Sequence, residues 1–165
     1  MNSDYHIITT GGTIDVANID ASGVYTFGQS IIPSIIEQWW INFPIRWTHL
    51  PPINSLIMKN PYRDPIVETR INSPEDRILL THGTDTMIET AQYLVERVQW
   101  KVIILVWSFV PIRESHTDGY MNLGYAIWVL QSQTQAWVFI AMNGQTFFPR
   151  NVRKNREEWR FEVIQ

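Results

Sequence analysis

Apolar residues along the chain fall into two rhythms, short solid runs and longer stretches at helical spacing, and polar residues gather where one gives way to the other. The sharpest change lies in 77–87, RILLTHGTDTM. There Ile78, Leu79 and Leu80 predict a short buried strand, and Met87, Ala91, Leu94 and Val95 predict a helix behind a hydroxyl-rich start. The same rhythms predict strands over 5–10 and 45–50, with a helix over 31–40 carried by Ile32, Ile35, Ile36 and Trp39. A short helix over 64–72, the helix over 86–98, a buried strand over 101–107, a helix over 117–133 and a strand over 136–142 follow. Asn143-Gly144 then favours a hairpin into 145–148. Three segments lack periodicity. They are 15–29, read as a long covering loop that holds Tyr25, the loop 51–60 with Asn54 and Ser55, and a tail from about 149 that is basic and then mixed.

Strands alternating with helices over short connections predict an α/β, doubly wound, mostly parallel sheet of flavodoxin-like or Rossmann-like type. Ligand sites in such sheets lie beyond the carboxyl ends of the strands, where turn N–H groups and helix N-termini favour an anionic or carbonyl-bearing ligand. Two turns there carry hydroxyls. Gly11-Gly12-Thr13 follows the first strand, and Thr84 and Asp85 follow the strand at 78–80. If the two strands are parallel neighbours, Thr13 and Thr84 share one crevice. A threonine hydroxyl attacks poorly until a base shares its proton, so the candidate bases matter as much as the hydroxyls.

With 165 residues, 45% of them hydrophobic, the chain suits one domain with a substantial core, and no internal repeat is visible. A net charge of −3 with interleaved signs gives no reason to expect a nucleic acid or membrane partner. The absence of cysteine excludes disulfides and thiolate metal sites. His6, His49, His82 and His116 show no metal spacing, so no metal is expected, and His82 reads as a turn residue bonded to its neighbours. The start MNSDYHIITT has no secretion signal, and no run approaches the roughly 20 apolar residues of a membrane helix, so a cytoplasmic location is expected. Eight tryptophans are many for this length and suit an aromatic core or an interface between subunits.

TTGGTI at 9–14 and THGTDTM at 81–87, each behind a predicted strand, resemble the two signature motifs of the bacterial-type L-asparaginases. The resemblance runs over nearly the whole chain. It implies a short, single-domain form similar to the family's N-terminal catalytic domain, without the usual C-terminal domain. The implied activity is an amidohydrolase that converts L-asparagine to L-aspartate and ammonia through a threonine nucleophile, with weak glutaminase activity. It further implies Thr13 as the attacking hydroxyl, helped by Tyr25, whose setting VYTFG resembles the family's lid tyrosine. NVRKNR at 151–156 resembles the family's lysine segment, and this implies that Thr84, Asp85 and Lys154 position the substrate and relay protons. Gly12 and Thr84 N–H groups would hold the oxyanion. Asn54-Ser55 is similar to the loop that binds the substrate's α-carboxylate and amino groups, where related short enzymes often have Asp at the first position. The stretch 113–123 resembles a structural loop, with Asp118, Gly119 and Asn122 at matching places. Where the family usually has Gly-Ala-Met against the substrate amide, this chain has Trp107-Ser108-Phe109, so Ser108 would face the substrate and Trp107 departs from the pattern. The resemblance implies no cofactor and a second copy of the chain as partner, in a homodimer or homotetramer.

Other readings stay open. Gly11 to Thr13 suits a tight turn, the threonines near 84 suit helix capping, Tyr25 suits ring packing, and Lys154 with Arg150, Arg153 and Arg156 suits a solvated basic face. A second functional reading is a non-catalytic binding domain that has lost turnover, favoured by Trp107-Ser108-Phe109 and Asn54. A third, a nucleotide or phosphate binder using Gly11-Gly12, ranks last because the chain lacks a phosphate-loop lysine-threonine pair and a full dinucleotide glycine fingerprint.

Overall fold

The solid apolar runs become neighbours in one sheet. The computed structural model describes residues 4–19 and 25–164, and the side chains of Thr13, Tyr25, Phe27 and 16–19 lie outside the described residues. Its strands are β1 (Tyr5–Thr9), β2 (Val16–Ile19), β3 (Tyr25–Phe27), β4 (Ile45–His49), β5 (Arg77–Thr81), β6 (Val102–Val106), β7 (Val138–Met142), β8 (Gln145–Phe147), β9 (Val152–Asn155) and β10 (Arg160–Val163). The helices are α1 (Ile32–Gln38), α2 (Asn60–Ile71), α3 (Met87–Arg97) and α4 (Gly119–Ser132).

Six strands form the main sheet in the order β4-β1-β5-β6-β7-β8. All its pairs are parallel except β7 with β8, the hairpin expected at Asn143-Gly144. Every residue of β6 and of β7 is buried. Because successive side chains on a strand point to opposite faces, such runs require cover on both faces. Helix α4 packs along β5, β6 and β7, α3 against β7, and α2 against α3. From β1 the chain moves outward to β4 and then returns to the other flank of β1 with β5. The reversal lies between β1 and β5, and the crevice of a doubly wound sheet opens at such a point.

Three expectations need correction. The segment 15–29 is not a plain loop, because a 3-10 turn (Thr13–Asp15) runs into a β2–β3 hairpin whose register shifts between Val16 and Asn18. That irregularity breaks the alternation by which a strand is recognised. The tail from 149 folds as the antiparallel hairpin β9–β10, with Val152 and Phe161 buried. Two apolar residues among many charges were too sparse a signal. Helix α2 starts four positions before the expected 64, with Pro61 in its first turn. Its buried face includes Arg63 and Arg70, so the apolar stripe is interrupted. Arg63 donates from Nε to Thr90 Oγ1 (2.8 Å), and Arg70 donates to the Gln99 carbonyl (2.8 Å). The other helices match their expected spans to within a few residues at each end.

Candidate active site

Parallel pairing sets β1 beside β5, and hydroxyls at their ends tie the two turns together. Thr10 Oγ1 donates to the Thr81 carbonyl (2.7 Å), and Thr10 N–H donates to Thr81 Oγ1 (3.3 Å). Gly11 and Gly12 follow with φ of 73° and 102°, backbone that residues with a Cβ seldom adopt. Thr13 begins the 3-10 turn, and Asp15 N–H donates to the Gly12 carbonyl (2.9 Å). The backbone therefore brings the two signature turns to one edge of the sheet. The hydroxyl of Thr13 and the ring of Tyr25 lie outside the described side chains, while the Tyr25 backbone stands opposite Ile19 in the β2–β3 hairpin.

The loop after β4 joins the same place. Thr86 Oγ1 donates to the Ser55 carbonyl (2.7 Å), and a Cβ on Gly83 would lie 2.4 Å from Ser55 Oγ. Only a glycine lets the two turns approach so closely. Thr86 thus binds across to Ser55 instead of capping α3 through its side chain. Asn54 Oδ1 accepts from Leu56 N–H (2.9 Å), so this amide caps the 3-10 turn Ser55–Ile57. His82 is fully buried, with Nδ1 donating to the Gly83 carbonyl (2.8 Å), as expected of a turn residue. Burial pushes its pKa down to about 4, against the raising effect of that bond, so the ring is neutral at neutral pH.

Lys154 reaches the site from β9. Its ammonium donates to Thr84 Oγ1 (2.8 Å) and to Asp85 Oδ1 (2.8 Å). Arg156 donates to the same carboxylate oxygen at 3.0 Å. Burial of Asp85 disfavours its charge, but the bonds and charges of Lys154 and Arg156 outweigh it and hold the carboxyl below the usual range. Beside this cluster an open cleft of about 240 Å³ is lined by Phe109, Lys154, Arg156 and Trp159. Arg156 was not singled out as a site residue in the sequence. The available signal was its place in the same basic segment, two residues after Lys154.

A chain of amide bonds holds the hairpin that carries Lys154. Asn122 Nδ2 donates to the Trp107 carbonyl (3.0 Å) and to Asp118 Oδ2 (2.7 Å), while its Oδ1 accepts from Asn143 N–H (3.0 Å). Asn143 Oδ1 in turn accepts from Phe161 N–H (3.0 Å), on the strand paired with β9. Asp118 also receives the N–H groups of Phe109 and Val110. The loop singled out at 113–123 thus joins the ends of β6 and β7 to the lysine hairpin. Trp107 and Ser108, just past β6, are fully buried, and among the described residues neither Trp107 Nε1 nor Ser108 Oγ has a hydrogen-bond partner.

Residues 5–162 match the family described as Asparaginase, N-terminal. A glutaminase-asparaginase from Acinetobacter glutaminasificans is 41% identical over 167 residues, which covers 90% of this chain and 48% of that protein. A probable periplasmic L-asparaginase from Haemophilus influenzae is 31% identical over 158 residues, with 90% of this chain and 45% of that protein covered. The solved structure of a probable cytoplasmic L-asparaginase from Campylobacter jejuni superposes with a TM-score of 0.79 at 28% identity, over 98% of this chain and 53% of that one. The chain spans about half the length of these relatives. Matched across nearly its whole length, and folded with both signature turns at the switch point of its sheet, the chain belongs to the asparaginase family and corresponds to the N-terminal part of its members.

Proposed function

We propose that this chain is the catalytic part of an amidohydrolase that converts L-asparagine to L-aspartate and ammonia through a threonine nucleophile, with weak activity on L-glutamine. The observation that carries the reading is Lys154, whose ammonium lies 2.8 Å from both Thr84 Oγ1 and Asp85 Oδ1. Thr13 is the attacking hydroxyl and Tyr25 its base. Its oxygen adds to the side-chain carbonyl, the C–N bond breaks, and the nitrogen leaves as ammonia with a proton relayed through Thr84, Lys154 and Asp85. Water then cleaves the aspartyl ester. N–H groups at Gly12 and Thr84 stabilise the oxyanion, a role for which preorganised backbone donors suit the turn. The Asn54-Ser55 loop binds the α-substituents, and the backbone at Ser108 meets the amide. The active species is a homodimer or homotetramer in the cytoplasm, supported by exposed aromatic surface at Trp40, Trp100 and Trp128.

One observation favours a binding domain without turnover, namely the Trp107 ring packed against Gly12. Ammonia release from L-asparagine and L-glutamine by purified protein separates the readings, with Thr13→Ala and Thr84→Ala run alongside. The hydrolase reading expects turnover in the parent and its loss in both variants. A folded parent that releases no more ammonia than the variants would refute it in favour of the binding domain.

A further inference from the structure

We infer that Asp15 is a positioning residue, whose carboxylate clasps the base of the β2–β3 hairpin and holds the segment that carries Tyr25 in place against the turn that carries Thr13. The inference rests on the amidohydrolase reading and deepens it. Thr13 lies in the 3-10 turn Thr13–Asp15, which Asp15 closes by donating its N–H to the Gly12 carbonyl (2.9 Å). The hairpin leaves from the next residue, Val16, and returns at Phe27, its pairing partner. Asp15 then grips the returning chain. Its carbonyl accepts from Gly28 N–H (3.3 Å), and its Oδ1 accepts from Ser30 Oγ (2.9 Å) and Ile31 N–H (3.2 Å). Ser30 Oγ accepts in turn from the N–H of Ile32 (3.4 Å), the first residue of α1. One residue therefore joins the Thr13 turn, both feet of the hairpin and the start of α1.

Asp15 is buried, and burial pushes its carboxyl above the usual range, against the lowering effect of the Ser30 and Ile31 bonds and of the His49 and Arg113 charges. An apolar side chain at this position would avoid that cost. What the carboxyl adds is an acceptor where two donors of the returning chain converge. In the proposed reaction Thr13 attacks and Tyr25 takes its proton, so the two groups have to stand within hydrogen-bond reach of one another. A two-stranded hairpin is marginally stable by itself in water. The ties at its base therefore govern where it stands. A reacting group misplaced by about 1 Å costs on the order of 100-fold in rate.

Asp15→Ala, Asp15→Asn and Ser30→Ala are compared with the parent in two ways. Amide hydrogen exchange is read by mass spectrometry over 16–27 and over β6 and β7, and kcat and KM are measured for L-asparagine. Asp15→Ala loses both side-chain bonds. It should speed exchange over 16–27 by about tenfold or more while β6 and β7 stay as in the parent. Its kcat should fall on the order of 100-fold with KM little changed. Asp15→Asn keeps an acceptor for both donors, so its kcat should stay within about fivefold of the parent. Ser30→Ala removes one of the two bonds at a half-buried position and decides the matter should Asp15→Ala fail to fold. It should change local exchange and kcat by about fivefold, the worth of one hydrogen bond. Exchange over 16–27 that is unchanged, or that is matched by β6 and β7, overturns the inference, and so does Asp15→Asn as impaired as Asp15→Ala. A parent without ammonia release whose Asp15→Ala exchanges faster over 16–27 alone sinks the hydrolase reading and leaves the clasp standing. An active parent beside a folded Asp15→Ala of unchanged kcat does the reverse.

Discussion

Lys154 and Arg156 donate to the same oxygen of Asp85, at 2.8 and 3.0 Å, yet only Lys154 also reaches Thr84. Replacing each by methionine separates the charge beside Asp85 from the contact with the threonine. The Lys154 side chain is 14% exposed and that of Arg156 is 67% exposed. An exposed pair of the Arg156 kind is worth about 0–1 kcal/mol, so Arg156→Met should cost little stability and no more than about fivefold in kcat. Lys154→Met removes two bonds from a largely buried ammonium. Hydrogen bonds to charged groups contribute about 1.5–3 kcal/mol each, and Asp85 keeps Arg156 as a partner. A stability loss of about 2–3 kcal/mol follows. Loss of a positioned proton-transfer group lowers kcat by about 100- to 10,000-fold, or about 3–5 kcal/mol of barrier. Urea unfolding gives the stabilities, and coupled ammonia detection gives kcat. If Arg156→Met lost as much activity as Lys154→Met, the field at Asp85 would be what matters. If neither lost activity, the relay would be wrong.

Two further predictions concern the frame around the site. Asn122 is fully buried and joins Trp107, Asp118 and Asn143. Asn122→Ala should cost about 2–4 kcal/mol through the partners it leaves unpaired, read as a shift in urea midpoint, and a shift equivalent to under about 1 kcal/mol would remove that amide from the frame. The second is acid sensitivity. Burial pushes the pKa values of His6 and His82 from 6.5 to about 4, so between these values the unfolded chain binds more protons than the folded one. Their contribution is complete above pH 6.5 and is lost as pH falls through that window to about 4, by up to about 3 kcal/mol each. Tm should fall steeply from pH 7 to 4.5 and less steeply in His82→Asn; a flat profile contradicts the argument.

Residues whose neighbours in sequence are also their partners in chemistry were legible in the chain. Ile78 to Leu80, Val102 to Val106 and Val138 to Met142 announce buried parallel strands by composition alone, because both faces of such strands must be apolar. Two glycines and a threonine straight after one strand, and Thr84-Asp85 straight after another, mark ligand turns by local backbone chemistry. The helix α2 start, the β2–β3 hairpin and the β9–β10 hairpin were not legible. Their burial is met by arginine bonds, a shifted register or single residues such as Phe161.

By itself, then, the sequence determined the alternating α/β order and the two signature turns, since hydrophobic period and glycine-hydroxyl clusters act over a few residues. Only the tertiary structure decided that Lys154 bonds Thr84 across 70 positions, that Arg156 shares Asp85, and that Trp107 rests on Gly12. Each of these depends on strand order and hairpin docking. Those follow from how the whole core packs, which no local pattern encodes.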